Sequence, residues 1–202
     1  MVTIYIDIET IPSEAPPSLE DMVVPRSIKK EETAKRWREE NQLKEWCKEA
    51  LQPHKGRIWF ACMAVEDGPV EYYQDINTLG DKLNVLKEEH LLLNIVGHNV
   101  EFDRSFLFVH FLREGNKHLA KIFRGAYGDI FSCTMEMFMP FQWKHKISLD
   151  KALKALDLES HKSDTDGSKI FSMWKNKKIN KAIDYCTKDV QAVRALYNKL
   201  KI

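Results

Sequence analysis

The sequence begins with a stretch, VTIYIDIET (residues 2–10), in which side chains of opposite character alternate. An alternation with a period of two predicts a β-strand, because successive side chains of a strand point to opposite faces of its sheet. One face carries Val2, Ile4, Ile6 and Ile8, and the other carries Tyr5, Asp7 and Glu9. Asp7 and Glu9 would lie side by side, where two like charges repel each other unless a cation lies between them. The pair is explained either by a hard divalent cation with oxygen ligands or by two exposed acids, which are common on strands.

The rest of the chain alternates between strand-like and helix-like segments. Apolar runs predict strands at 58–65, 70–73 and 92–96, the first two joined as a hairpin. Helical periodicity predicts helices at about 28–51, 77–90, 102–113, 130–138, 148–156, 167–175 and 180–200. This order predicts one α/β domain, covering residues 1–202, with a mixed sheet flanked by helices.

Two further segments place carboxylates where ligand sites are common in such a fold. An apolar strand ends at Gly97, and Asp103 falls in the first turn of the next helix, at the carboxyl end of the strand. Tyr185 and Asp189 are four residues apart on a predicted helix, so their side chains lie on one face. Alone, Asp103 is explained as a helix-start residue and Asp189 as a surface acid. These residues indicate a functional site only when they are considered together with Asp7 and Glu9.

Together the three segments resemble the motifs of the DEDD (DnaQ-like) 3′→5′ exonuclease superfamily. The closest subgroup is the tyrosine-bearing one (DEDDy), to which proofreading domains of DNA polymerases belong. Its motifs are Asp-x-Glu on the first strand, an Asn followed by an aromatic–Asp pair, and Tyr-x-x-x-Asp on a late helix. The matching residues are Asp7 and Glu9, then Asn99, Phe102 and Asp103, then Tyr185 and Asp189. The resemblance covers the chain except for an insertion, and it implies a ribonuclease H-like fold with a mixed five-stranded sheet.

The resemblance also implies an activity, which is metal-dependent removal of nucleotides from the 3′ end of DNA, most simply single-stranded DNA. Two divalent ions, Mg²⁺ or Mn²⁺, are the implied cofactors. Asp7, Glu9 and Asp189 match the ligands of the ion that activates the attacking water. Asp7 would bridge to the second ion, which Asp103 would support, and Tyr185 would orient the water. These five residues form the expected catalytic set, and the four carboxylates among them are the expected metal ligands.

Substrate contacts are implied for residues beside the carboxylates. Asn99 and Phe102 match positions that contact the terminal nucleotides, and the backbone around Thr10 and Ile11 would approach the terminal sugar. Four late lysines either neutralise upstream phosphates or are simply solvated. They are Lys175, Lys177, Lys178 and Lys181.

An insertion at about residues 13–55 departs from the family pattern, in which a short hairpin joins the first two strands. Its predicted helix at 28–51 either forms one wall or a lid of the channel for single-stranded DNA or packs on the outside of the domain. If it is a wall, its deletion would weaken substrate binding far more than stability. The stripe of this helix expected to be buried consists of Trp37, Leu43, Trp46, Cys47 and Ala50.

Composition and charge exclude several classes of protein without identifying one. The 202 residues are 44% hydrophobic and 30% charged, as in globular proteins, and no apolar run approaches the ~20 residues that cross a bilayer. The net charge of +1 gives no indication of nucleic-acid binding. The N-terminus lacks the pattern of a signal peptide, so no membrane association and a cytoplasmic location are expected. Four scattered cysteines fit reduced thiols: Cys47, Cys62, Cys133 and Cys186.

Three alternatives remain open: a non-catalytic nucleic-acid-binding module on the same fold, an unrelated metal enzyme such as a phosphatase, and the same exonuclease chemistry on RNA. No clear reader of the 2′-hydroxyl group separates RNA from DNA. Because the third motif lies near the end of the sequence, a stand-alone enzyme resembling phage exonucleases is expected. Smaller expectations are that His98 serves local hydrogen bonding, that Asp129 caps a helix, and that Trp59 and Trp174 lie in the core.

Overall fold

The computed structural model describes residues 1–139, 146–160 and 169–201. Its strands are β1 (Val2–Ile11), β2 (Arg57–Val65), β3 (Glu71–Tyr73), β4 (Leu93–Gly97) and β5 (Ile130–Cys133). They form one five-stranded sheet with the order β3-β2-β1-β4-β5. β2 runs antiparallel to β1 and β3, whereas β4 runs parallel to both β1 and β5. The mixed α/β sheet and the hairpin predicted from the sequence are confirmed.

Helices cover both faces of the sheet. They are α1 (Glu31–Glu49), α2 (Ile76–Glu89), α3 (Val100–Arg113), α4 (Lys117–Arg124), α5 (Thr134–Phe138), α6 (Leu149–Ala155), α7 (Ile170–Lys175) and α8 (Ile179–Leu200). α2, α3 and α4 build one apolar core against the sheet, and α7 and α8 build another on the opposite face. Among the described residues, no helix combines the length and apolarity needed to cross a membrane.

The central strand β1 contributes to both cores, as its alternating sequence predicts. Ile4, Ile6 and Ile8 are buried in the core with α2 and α3, whereas Tyr5 is buried in the core with α8. The ring of Tyr5 meets that of Tyr197 edge-on, with 5.8 Å between centroids. Asp7 lies two residues beyond Tyr5 on the same strand, so its side chain projects toward α8.

Most predicted helices are confirmed to within a few residues, but the segment at 130–138 is wrongly predicted. Its first four residues form the edge strand β5, which pairs in parallel with β4 from Asn94↔Ile130 to Gly97↔Cys133, and only α5 is helical. Four residues are too few for an alternating pattern to be distinguished from helical periodicity. The predicted start of the helix at 167–175 lies outside the described residues.

Two other features of this region differ from expectation. α4 was not predicted, although the side chain of Asn116 caps it by accepting from the Leu119 amide at 3.1 Å, and Gly125 ends it in the left-handed conformation. Asp129 caps no helix. Its buried carboxylate precedes β5, accepts from the Leu93 amide at 2.9 Å and lies 2.5 Å from Lys87 Nζ.

The insertion contains the predicted helix, but only Ala50 of the expected buried stripe is buried. Leu43 is 52% exposed, and the three other large members of the stripe (Trp37, Trp46 and Cys47) are only half-buried. α1 contacts α7 near its C-terminal end, where the ring of Trp46 meets those of Phe171 and Trp174 edge-on, with 5.4 and 5.8 Å between centroids. A helix held at one end does not need a continuous apolar face.

The insertion leaves and re-enters the sheet at neighbouring points, since Ile11 of β1 pairs with Arg57 of β2. The register shifts between Glu9 and Thr10, so that Trp59 is an extra residue in β2 at this bulge. Its ring consequently packs on the same core as the adjacent Phe60, where it is only half-buried. Trp174 on α7 is half-buried too, which corrects the expectation that both tryptophans lie in the core.

Candidate active site

The predicted site lies at the edge of the sheet where β4 ends and β1 continues. Pairing between the two strands stops at Tyr5↔Val96, so Asp7 and Glu9 lie on the part of β1 beyond β4. α3 begins beside this extension and carries Asp103 in its first turn. Asp103 Oδ1 accepts a hydrogen bond from the amide of Ile8 at 3.0 Å, in place of a strand partner. The first two motifs are therefore in direct contact.

α8, which packs on one face of the sheet, carries the third motif to the first two. The thiol of Cys186 donates to the backbone carbonyl of Asp7 at 3.4 Å, which fixes this turn of the helix over β1. The far end of the helix is held as well, since Arg194 Nη1 donates to the carbonyl of Gly68 at 2.7 Å. Tyr185 and Asp189 flank Cys186 on the half-buried surface of α8.

A compact group of ligand atoms lies at the centre of the site. One carboxylate oxygen from each of Asp7 and Glu9 and the sulfur of Cys186 all lie within 4.8 Å of one another. Cys186 is a residue that the sequence interpretation treated only as a packed thiol. Its spacing of three from Asp189 on a helix was the available signal, because such residues share a face. Burial raises the pKa of this thiol, so it is protonated at neutral pH.

The carboxylates strongly influence one another's ionisation. Burial raises the pKa of Asp7 well above its ordinary value, and the charges of Glu9, Asp189 and Asp103 raise it further. Burial likewise raises the pKa of Glu9, with further contributions from Asp189 and Asp103. Burial raises the pKa of Asp103 to about 7, although its backbone hydrogen bonds act in the opposite direction. All four predicted carboxylates thus share one electrostatic environment.

Within the described parts of the chain, no lysine or arginine forms a salt bridge with Asp7, Glu9 or Asp103. Glu9 is 7% exposed and Asp103 is 4% exposed, whereas Asp7 retains some access to solvent. Buried like charges without a counter-charge are unfavourable, and a divalent cation is the usual partner of such a group. The donor set therefore fits an oxygen-binding metal ion.

Tyr185 lies at the rim of this group. Burial and the adjacent charge and hydrogen bond of Asp189 raise the pKa of its phenol far above the ordinary value. The phenol is consequently protonated at any working pH. It can donate a hydrogen bond, but it cannot act as a base.

The four residues expected to contact substrate surround the carboxylates. Asn99 has left-handed backbone angles (φ 67°, ψ 45°) at the start of α3, and its side chain does not cap the helix. Phe102 is half-buried and packs against Phe106, with 4.9 Å between ring centroids. Thr10 Oγ1 donates to the carbonyl of Ala50 at 2.6 Å, and Ile11 is buried. Both of these β1 residues can therefore offer a substrate only their backbone.

His98 has the local hydrogen-bonding role expected of it. Its Nδ1 lies 2.9 Å from the hydroxyl of Thr134, and its Nε2 lies 2.8 Å from the carbonyl of Ile147. Burial lowers the pKa of the ring, so it is neutral. His98 thereby ties the loop after β4 to α5 and to the segment before α6.

Comparison with known proteins identifies no relative of this chain. The chain matches no family model, no curated protein and no solved structure. The arrangement of the chain's own residues is therefore the basis for inferring its function.

Proposed function

We propose that this chain is a metal-dependent 3′→5′ exonuclease that acts on the 3′ end of DNA, with single-stranded DNA as its substrate. The observation that carries the proposal is the convergence of carboxylates from three distant segments. Asp7 and Glu9 on β1, Asp103 on α3 and Asp189 on α8 influence one another's ionisation at the edge of one sheet. These are the positions that the exonuclease motifs assign to metal ligands.

The topology supports a ribonuclease H-like fold as part of this proposal. The sheet has the order β3-β2-β1-β4-β5, with β2 antiparallel to β1. The site lies at the carboxyl end of the parallel pair β1 and β4, where open α/β sheets commonly bind ligands. A helix near the end of the chain, α8, covers β1 and β2 and carries the last motif.

Asp7, Glu9, Asp103 and Asp189 would hold the divalent ions, and their oxygen donors favour Mg²⁺ or Mn²⁺. When bound, such ions supply a water of lowered pKa and counter-charge for the phosphate under attack. The residues of the chain would hold the ligand atoms in position and keep bulk water out of the site. Burial of Glu9 and Asp103 fixes their rotamers, and the amide of Ile8 orients the carboxylate of Asp103.

The remaining residues would position the two reactants. Tyr185, with its phenolic proton retained, would orient the attacking water as a hydrogen-bond donor or acceptor without removing a proton from it. The side-chain amide of Asn99 is not used to cap α3, and Phe102 offers a half-exposed ring on which a terminal base can stack. The backbone at Thr10 and Ile11 lies beside the carboxylates, where it would meet the terminal sugar.

The test is digestion of a 5′-labelled single-stranded DNA and of the matching RNA with Mg²⁺ or Mn²⁺. We expect a ladder that shortens from the 3′ end, disappears in EDTA and leaves a circular single strand intact. The Asp7→Asn variant should be slower by more than about 100-fold, because an amide lacks the negative charge of a metal-binding carboxylate. Asp184→Asn is the matched control, since Asp184 is an exposed acid on α8 paired with Lys188 at 2.7 Å.

Cleavage that persists in EDTA or in Asp7→Asn would overturn the proposal. Folded protein that binds both strands but cleaves neither would favour the non-catalytic module. The ratio of the rates on DNA and RNA decides between the deoxyribonuclease and the exoribonuclease.

A further inference from the structure

A groove lined by three indole rings lies on the face of the sheet that carries α7 and α8. It has a volume of about 490 Å³, within the range of roughly 300–1,000 Å³ typical of ligand sites. Its three indoles come from three elements: Trp46 from α1, Trp59 from β2 and Trp174 from α7. The rings of Trp46 and Trp174 meet edge-on, with 5.8 Å between centroids. The insertion thus supplies one of the three indoles through Trp46.

The bulge in β2 places this groove next to the site. Glu9 pairs with Phe60, and Trp59 is the next residue along β2, on the same face of the sheet as the carboxylates. α7, which carries Trp174, packs on β1 and on α8. A chain leaving the carboxylates along this face would therefore reach the indoles.

The charges at the rim specify the kind of occupant. Lys175 and Lys177 line the groove, and both are exposed. Across the described segments, neither lysine forms a salt bridge with a carboxylate. Flat aromatic surfaces beside unpaired cations complement a polyanion that carries exposed rings. Single-stranded nucleic acid has this chemistry, whereas a duplex hides the faces of its bases.

We propose that this indole groove (Trp46, Trp59, Trp174, Lys175, Lys177 and Ile179) is a stacking subsite for bases upstream of the 3′ end that enters the carboxylate site. The indoles hold bases, and the two lysines neutralise the adjoining phosphates. The insertion is therefore part of the substrate-binding surface through Trp46, whose Nε1 donates to the carbonyl of Ser13 at 3.0 Å and so fixes its ring. The direction of the strand rests on the proposed exonuclease function, but the binding itself does not.

The first test compares two fluorescein-labelled strands of twelve units, an oligothymidylate and an abasic strand of equal charge. Binding is followed by fluorescence anisotropy in EDTA, so that no metal-dependent cleavage takes place. Stacking of one or more bases should make the oligothymidylate bind roughly 5- to 150-fold more tightly than the abasic strand. Equal affinity for the two strands, or no measurable affinity for either, would overturn the proposal.

The second test uses matched variants. Trp174→Leu keeps an apolar side chain but removes the flat ring, so it should weaken oligothymidylate binding and leave abasic binding unchanged. Trp37→Leu changes the same residue type at a half-buried position of α1 away from the groove, and it should keep the full preference. Loss of the preference in both variants, or in neither, would contradict the assignment.

The third test separates the lysines from the rings. The double variant Lys175→Gln/Lys177→Gln should lower the slope of log affinity against log salt by about 0.7 for each phosphate that the lysines no longer neutralise. Lys199→Gln, at the far end of α8, should leave the slope unchanged. Binding that depends on the groove, in a protein that cleaves neither strand, would support this subsite and overturn the exonuclease proposal. Cleavage by a protein that binds the oligothymidylate and the abasic strand equally would support the exonuclease proposal and overturn the subsite.

Discussion

Tyr185 illustrates how the surroundings of a residue define its chemical role. Its phenol lies beside Asp189 and is raised in pKa by burial and by that carboxylate, so it keeps its proton. A protonated phenol can position a water molecule but cannot accept a proton from it. In the proposed reaction, the role of Tyr185 would therefore be geometric.

We expect Tyr185→Phe to lower kcat by about 10- to 100-fold through misplacement of the water, with little change in KM. The pH dependence of kcat should keep its shape, because Tyr185 does not titrate in the working range. Single-turnover digestion of single-stranded DNA across pH 6 to about 9 measures both quantities. Disappearance of one limb of the profile in the variant would show that the phenol acts as the base after all.

At the scale of single residues, the positions of the acidic residues in the candidate site are predicted from the sequence better than those of the residues packed around them. Asp7, Glu9 and Asp103 lie in motifs whose spacing is fixed by a strand and a helix start, so local geometry places them. Cys186 was missed because its spacing of three from Asp189 fits a buried thiol on the packed face of the helix equally well. Trp59 was misplaced because a bulge shifts the face of a residue without changing the apolar pattern.

Among the elements, α2, β4 and the edge strand β5 are joined by one buried ion pair. The side chain of Asp129 is fully buried and that of Lys87 is 14% exposed, with 2.5 Å between Nζ and Oδ1. The same oxygen accepts from the amide of Leu93 in β4. Asp129 thus links three elements, although it lies outside the candidate site.

We expect Lys87→Met to lower the free energy of unfolding by about 3–5 kcal/mol, because it leaves a buried carboxylate without its counter-charge. Urea denaturation provides the measurement. Adding Asp129→Asn should recover part of the loss, since an amide can still accept from Leu93 and carries no charge. Lys82→Met on the same helix is the control and should change stability by less than about 0.5 kcal/mol. A similar loss in the control variant would show that the effect arises from α2 and not from the ion pair.

At the scale of elements, the long, strongly patterned segments are those that the sequence predicts. β1 and α8 have enough residues for their periods of two and 3.6 to be distinguished. β5 has four residues at an edge, and its pairing with β4 is a non-local interaction that no local pattern encodes. The orientation of α1 is likewise set by contacts at its C-terminal end, which its own composition does not reveal.

Over the whole molecule, the carboxylates should make stability depend on pH and on metal. Asp7, Glu9 and Asp103 have a higher pKa in the folded than in the unfolded chain, so between about pH 4 and 7 the folded state binds more protons. Without divalent ions, stability should therefore be greatest at low pH within this window and fall as pH rises through 7.

Addition of Mn²⁺ at about 100 times its dissociation constant should stabilise the protein at pH 8 by about 2.7 kcal/mol, a rise in Tm of about 5–10 °C. Thermal unfolding in EDTA and in Mn²⁺ across this pH range tests both effects. The double variant Asp7→Asn/Glu9→Gln should flatten the pH dependence and abolish the response to the metal. An unchanged Tm in Mn²⁺ at pH 8 would count against a metal site.

The pairing of Ile11 with Arg57 has a consequence for the history and the engineering of this domain. Because the 45 intervening residues begin and end at hydrogen-bonded neighbours, they take the place of an ordinary hairpin turn. The sheet can therefore gain, lose or exchange this segment without any change of strand register. The joint between β1 and β2 is thus an attachment point, at which the same sheet can accept inserted segments of different length and composition.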